Sequence, residues 1–212
     1  MRLQYKVLGA AAVFLTFLCT AVLYPVLPGV LDTHWGATGE VNGRMGKFWG
    51  AFILPIILLG VYFLFQLIPK LDPLGYNILG FEEQYLQFQF VLYSFMFLVQ
   101  AHILAWNLGY KMSPNMVVPF GVGALFYFIG HILPQTRRNW FFGFRTPWTL
   151  SSDIVWEKTN SLAGRVFKVL GVIVLFSVFA PTYMVYFVLA PTIFCAIALL
   201  AYSFVEFRRQ KN

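Results

Sequence analysis

Five stretches of the chain contain no Asp, Glu, Lys or Arg: Val7 to Leu31, Phe48 to Pro69, Gln84 to Tyr110, Met112 to Thr136 and Val169 to Val205. A charge near the bilayer centre costs at least ~3 kcal/mol on insertion scales, so apolar stretches of about 20 residues without one mark membrane spans. The last stretch is 37 residues long. As one helix at 1.5 Å per residue it would measure ~55 Å, against a hydrocarbon core of ~30 Å. It has to fold back on itself, and Pro181 in Ala180-Pro181-Thr182 is the natural break. Five windows thus become six helices.

Composition agrees with this reading. The chain is 59% hydrophobic and 11% charged, where a soluble domain has about a quarter of its residues charged. The expectation is an all-α, polytopic membrane helix bundle forming a single membrane domain across 1–212. Its spans are expected at about 7–26, 48–68, 87–108, 117–134, 166–181 and 183–205. The first apolar run follows Arg2 and Lys6 and lacks an Ala-x-Ala cleavage pattern, so it reads as a signal anchor. Cys19 and Cys195 sit in apolar runs, where a small buried hydrophobe is the usual role of a free Cys.

Basic residues give the direction. With six spans both termini share one side, which receives Arg2, Lys6, Lys70, Arg137, Arg138, Arg145, Lys158, Arg165, Lys168, Arg208, Arg209 and Lys211. The other side receives Arg44, Lys47 and Lys111. Twelve against three predicts cytoplasmic termini. The formal charge of +7 is then a topology and lipid head-group signal, with no direct nucleic-acid binding implied. Within the spans, Gly46-x-x-x-Gly50 and the Gly121, Gly123 pair are expected to let helices approach closely.

Two segments exceed what a helix hairpin needs. The outer loop, 27–47, is rich in Gly and polar turn formers and is expected to be a structured loop, not a helix. Its polar groups Thr33, His34, Trp35, Glu40 and Lys47 are the candidate contacts for an external ligand. Asp32, His34 and Glu40 lack the repeated spacing of a metal site, and a hydrogen-bonding network is the expected use, with no metal or other cofactor. The inner loop, 135–165, is dense in Trp and Arg. Ser151 or Ser152 before Asp153 predicts a helix start, and Val155, Thr159, Leu162 and Val166 recur along one face. A short amphipathic helix lying at the interface and leading into the fifth span is expected.

The run Arg138-Asn139-x-x-x-Gly143-x-Arg145-Thr146-Pro147-Trp148-Thr149-Leu150-Ser151, followed by Val155-Trp156-x-Lys158-Thr159 and Gly164, resembles the signature of the SdpI-type membrane proteins, a family named for an immunity protein against a secreted killing peptide. The outer loop, with Leu27-Pro28, Thr33-His34, Gly39-Glu40, Gly43, Lys47 and Pro55, resembles the domain of unknown function that often precedes that signature. The sequence departs from the pattern at His131, where Asn usually follows the glycine, and at Asn160, where His commonly follows Lys-Thr. The resemblance implies a multi-pass protein of the bacterial plasma membrane that protects its own cell from a secreted peptide toxin. In the founding case it also implies signalling, with a cytoplasmic autorepressor held at the inner face. On that basis Arg138, Asn139, Gly143, Arg145, Thr146, Pro147, Trp148, Thr149, Trp156, Lys158 and Thr159 form the candidate cytoplasmic signature.

An enzyme is not expected, because the sequence has no His-Glu-x-x-His, no Gly-x-Ser-x-Gly and no phosphate-cradling loop. The alternative is a small-solute or ion transporter or channel, since the third span carries Gln87, Gln89, Gln100, His102 and Asn107. No span has an acid or base at its centre, where coupling ions usually require one, so interhelical hydrogen bonding is the expected use of these groups.

Overall fold

A computed structural model describes residues 2–210; Lys211, counted above with the basic tail, lies outside them. Eight α-helices and two short strands follow one another as α1 (Arg2–Leu23), β1 (Val30–Trp35), β2 (Val41–Gly46), α2 (Lys47–Leu71), α3 (Gly75–Leu79), α4 (Glu82–Asn107), α5 (Pro114–Ile132), α6 (Pro147–Ser151), α7 (Asp153–Phe176) and α8 (Met184–Arg209). Six of the helices, α1, α2, α4, α5, α7 and α8, are long and apolar enough to cross a membrane. The protein is a helical membrane bundle whose one sheet among the described residues is the antiparallel hairpin β1–β2.

The bundle divides into two sets of three. In the first, α1 packs on α4 and both contact α2. In the second, α5 packs on α7, and α8 packs against α7 and α6, while α4 and α5 join the sets. Lipid tails offer helices no hydrophobic incentive to associate, so close contact depends on small residues and interhelical hydrogen bonds. Two glycine pairs perform the first role between α5 and α7. A Cβ on Gly130 would lie 2.5 Å from the Gly164 carbonyl oxygen, and one on Gly171 would lie 2.6 Å from that of Gly123. The members of each pair recur seven residues apart on their own helix, two turns along one face.

The expected close approach at Gly121 and Gly123 is therefore divided: Gly123 meets α7, while Gly121 receives the Phe95 ring. Gly46-x-x-x-Gly50 does not bring helices together, since nothing lies within 4 Å of a Cβ at Gly46, and Gly50 seats Leu31 and Thr33 of the hairpin.

Polar side chains perform the second role. Gln100 of α4, 1% exposed, donates to Thr20 Oγ1 at 3.0 Å and to the Ala51 carbonyl at 2.9 Å, linking α4 to α1 and α2. Gln66 Nε2 donates to Gln89 Oε1 at 3.2 Å, and Tyr85 Oη donates to the Phe65 carbonyl at 2.8 Å. Tyr85, Gln89 and Gln100 of α4 are thus engaged with neighbouring helices, whereas His102 Nε2 is buried without a hydrogen-bond partner among the described residues. α8 differs, burying only 6% of its most apolar window, which leaves most of its surface for lipid.

Two boundaries depart from the sequence expectation. The separate interfacial helix and the span at 166–181 form one helix, α7, whose buried face includes Trp156, Thr159, Asn160, Ala163 and Gly164. That face is covered by the polypeptide of 135–151 and by α5, so it has no apolar stripe to lay on the membrane surface. The outer segment contains a hairpin, with Val30 opposite Gly46, Leu31 opposite Met45 and Asp32 opposite Arg44, and irregular pairing on either side of His34.

Both described ends of the chain lie at one end of the bundle. Arg2 and Lys6 pair with Glu82 at 2.7 and 3.2 Å, and Ser152 donates to Gln210 at 2.8 Å. The hairpin, the α4–α5 connection and the 3-10 turns at 177–183 gather at the other end, held together by Asn115, which donates to the Ala37 and Pro181 carbonyls at 2.8 and 2.9 Å.

Candidate functional site

At the termini end, the segment between α5 and α7 is built around buried amides. Asn139 is 0% exposed. Its Nδ2 donates to the Arg137 and Phe142 carbonyls at 2.8 and 2.7 Å, and its Oδ1 accepts the Phe141 and Phe142 N–H groups at 3.0 and 2.6 Å. One side chain thus satisfies four backbone groups that no helix or strand partners. Gly143 follows at φ +128°, and a Cβ there would lie 2.7 Å from the Trp156 ring. Both the backbone angle and the ring require glycine. Asn160, the position that departs from the family pattern, accepts the Phe144 N–H at 2.7 Å and donates to the Trp156 carbonyl at 3.1 Å.

The next residues form a reciprocal cap. Thr146 Oγ1 accepts the Thr149 N–H at 3.1 Å, and Thr149 Oγ1 accepts the Thr146 N–H at 2.8 Å, with Pro147 in the first turn of α6. Thr146 also donates to Ser203 of α8 at 3.1 Å, and the Trp148 ring lies 5.0 Å from that of Phe204. Ser152 caps α7 by accepting the Val155 N–H, with Asp153 in the first turn. Trp156, 2% exposed, donates to the Thr136 carbonyl at 3.1 Å. Arg138 sits 2.8 Å from Asp153 and donates to the Leu150 carbonyl at 2.9 Å. Lys158 pairs at 2.6 Å with Glu206, which Arg209 also holds at 2.9 Å. Arg145 donates to the Trp140 carbonyl at 2.5 Å. Thr159 is fully buried, and its hydroxyl has no partner among the described residues.

The candidate signature residues therefore lie together, but most of them are structural. Asn139, Gly143, Thr146, Thr149, Trp156 and Thr159 face inward or touch the chain itself, whereas Arg145 and Pro147 are exposed. The exposed aromatic rings beside them are Trp140 at 51% and Phe141 at 40%. Sequence reasoning missed Asp72, which accepts the Leu74 and Trp140 N–H groups at 2.7 and 2.9 Å, and Asn77, which donates to the Arg138 carbonyl at 2.7 Å. Their partners lie up to 68 residues away, so no local pattern announces them.

At the other end, Asp32 organises the hairpin. Its Oδ2 accepts the Trp106 indole N–H at 2.9 Å, its Oδ1 accepts from Arg44 at 2.9 Å, and Lys111 approaches to 3.6 Å. These donors hold its carboxyl below the usual carboxylate range, the Trp106 hydrogen bond contributing most and the two cations adding to it against the opposing effect of burial. Asn107 accepts the Asp32 N–H and donates to its carbonyl, at 2.8 and 2.9 Å, as though α4 carried one more strand residue.

The five candidate outer-loop residues do not form one cluster. Trp35 turns inward, its ring 5.4 Å from His102 and 5.3 Å from Trp106. Thr33 packs over Gly50. Lys47 donates to the Pro25 carbonyl at 3.2 Å and lies over the Tyr24 ring. His34 and Glu40 are exposed, the first 2.5 Å from Asn42 and the second bound to Thr38, which lowers the Glu40 carboxyl below its usual range. Among the described residues no group of three His, Cys, Asp or Glu side chains could hold a metal ion.

Comparison with known proteins coincides with this division. Residues 135–204, which hold the signature segment, α7 and most of α8, match the SdpI/YfhL protein family. Residues 11–59, which hold the hairpin between α1 and α2, match the domain of unknown function DUF1648. The chain is 25% identical over 184 residues to the immunity protein SdpI of Bacillus subtilis (strain 168), covering 86% of each. No solved structure matches it. With six apolar spans and both matched segments present in order, the protein is a multi-pass protein of the bacterial plasma membrane that is similar to the SdpI-type proteins.

Proposed function

We propose that this protein is a membrane immunity protein that protects its own cell from a secreted peptide toxin, acting by binding and not by chemical turnover. The observation that carries the reading is the likeness to the immunity protein SdpI across 86% of both chains, which includes the hairpin as well as the signature segment. In this reading the termini end faces the cytoplasm, as the distribution of basic residues favours. The hairpin faces outward and meets the peptide through its exposed edge at His34, Glu40 and Asn42. The exposed Trp140, Phe141 and Arg145 at the other end hold a soluble cytoplasmic repressor, so that the protein also signals.

Docking of the hairpin supports a route between the two ends. Asp32 and Trp35 rest on Trp106 and His102 of α4, and α4 begins beside Arg2 and Lys6 through Glu82. A peptide that shifted the hairpin would act on a helix reaching the opposite end.

Expression in a toxin-sensitive bacterium tests the reading, with survival as the readout against candidate secreted peptides. The wild type raises survival. Arg145→Ala and Trp140→Ala retain that protection and reduce recruitment of the repressor to membranes. Absence of protection by well-expressed wild type against every candidate peptide would sink the proposal.

A further inference from the structure

A polar cavity of about 430 Å³ opens at the termini end between α3, the turn after α5 and the first turn of α7. Tyr76, Asn77, Gln135, Arg137, Asp153 and Glu157 line it together with Arg138 and the edge of Trp156. Most of its polar groups are already engaged. Arg138 pairs with Asp153 at 2.8 Å, Asn77 donates to the Arg138 carbonyl, and Gln135 accepts from Gln84 at 2.8 Å. Two charged side chains remain without an ion pair or hydrogen bond among the described residues, and they are of opposite sign: Arg137 and Glu157. The stem of Arg137 is laid across Gly80, where a Cβ would stand 2.7 Å from its Nε.

The depth of the cavity limits its ligand. α5 ends at Ile132, and Arg137 follows five residues later, at the level where a span leaves the hydrocarbon and meets phosphates. Tyr76, 67% exposed, is of the residue type that settles at this boundary.

We propose that this cavity binds a zwitterionic phosphoethanolamine head group, its phosphate diester on Arg137 and its ammonium on Glu157. A guanidinium fork suits a phosphate, and a carboxylate in the same cavity supplies the matching partner for the amine. That carboxylate also discriminates. A phosphatidylglycerol head group presents the phosphate without the cation and leaves Glu157 as an uncompensated like charge. The inference does not depend on the immunity reading, because lipid binding is measured without toxin.

The purified protein in neutral detergent is titrated with dihexanoyl-phosphatidylethanolamine, with dihexanoyl-phosphatidylglycerol and with free phosphoethanolamine. Identical acyl chains cancel the apolar contribution. The expected result is roughly tenfold tighter binding of the ethanolamine lipid than of the glycerol lipid, a ratio of the size one charge-assisted contact supplies. Arg137→Gln weakens the ethanolamine lipid by about the same factor, and Glu157→Gln removes the preference. Gly80→Ala keeps every charge but displaces the guanidinium, and it weakens binding without changing the folded fraction seen by circular dichroism. Equal affinity of the wild type for the two lipids, or unchanged affinity in Arg137→Gln, would overturn the proposal. Free phosphoethanolamine binding as tightly as the lipid would overturn its assignment to the membrane.

Discussion

The hairpin at one end and the signature segment at the other are both non-membrane structures held by buried polar side chains, yet they are held differently. The signature segment is fastened mainly from within and by the helix that follows it. Asn139 binds groups two and three residues away, Thr146 and Thr149 cap each other, and Asn160 reaches back 16 residues. The hairpin is fastened from outside, by Trp106 and Asn107 some 75 residues along the chain and by Asn115 at its tip. A segment fastened from within keeps its shape while its surroundings move. One fastened from outside can report on whatever holds it, or release when something else competes for those contacts.

The sharpest way to break this contrast is to remove the internal fastening. Asn139→Ala leaves two carbonyls and two N–H groups without their partner, those of Phe142 in a buried site and those of Arg137 and Phe141 in a partly buried one. Each unsatisfied buried group costs about 1–3 kcal/mol, so a loss of about 3 kcal/mol or more in unfolding free energy is expected even if some groups find water. Denaturation of the purified protein in detergent, followed by tryptophan fluorescence, measures it. A change below about 1 kcal/mol would mean that the segment is held by its packing on Trp156 and not by the amide.

The two regions were also unequally legible in the sequence. The spans follow from charge-free windows because a bilayer penalises charge whatever the tertiary structure. In the signature segment the start of α7 is readable because its bond is local, Ser152 accepting the N–H three residues on; the Thr146–Thr149 cap and the glycine requirement at Gly143 emerge only from the structure. The hairpin is not readable as strands. Its burial does not alternate, since Val30 is exposed at 58%, Leu31 is fully buried and both Asp32 and Thr33 are half-buried, so the period-2 signal is absent. The residues that dock it lie in α4 and α5, where Trp106, Asn107 and Asn115 look like ordinary interfacial or interhelical groups. Asp72 and Ser203 were invisible for the same reason, each completing a contact more than 50 residues away. Gly130, Gly164 and Gly171 did carry a signal, a seven-residue recurrence on two helices that is longer than a Gly-x-x-x-Gly spacing.

Removing the external fastening has a smaller expected effect, because the hairpin retains its own ladder. Asp32→Ala deletes the acceptor for Trp106 and the partner of Arg44 and Lys111, and a loss of about 1–2 kcal/mol is expected. The same contact gives a pH dependence. The folded-state carboxyl titrates below its ordinary value of 3.8, so its contribution is fully present above that value and is lost as pH falls through the lower folded-state value. Stability of the wild type should decline below about pH 4 more steeply than that of Asp32→Ala. Parallel pH profiles for the two proteins would show that Asp32 is not what ties the hairpin to α4.

The smallest structural effect is expected at His34, and it bears most directly on the contrast. The side chain is exposed, its Nδ1 reaches only Asn42, and the strand pairing around it is irregular. Replacing it by Ala removes little packing, so stability should change by no more than about 0.5 kcal/mol. If the exposed edge of the hairpin is what a peptide meets, protection should fall by about tenfold, the scale of one lost contact of roughly 1.4 kcal/mol. Asn139→Ala should lose protection only in proportion to the folded protein it costs. Dose–survival curves normalised to membrane-inserted protein separate the two cases. A normalised deficit at His34 and none at Asn139 would locate recognition on the externally fastened region; the reverse pattern would move it to the other end of the molecule.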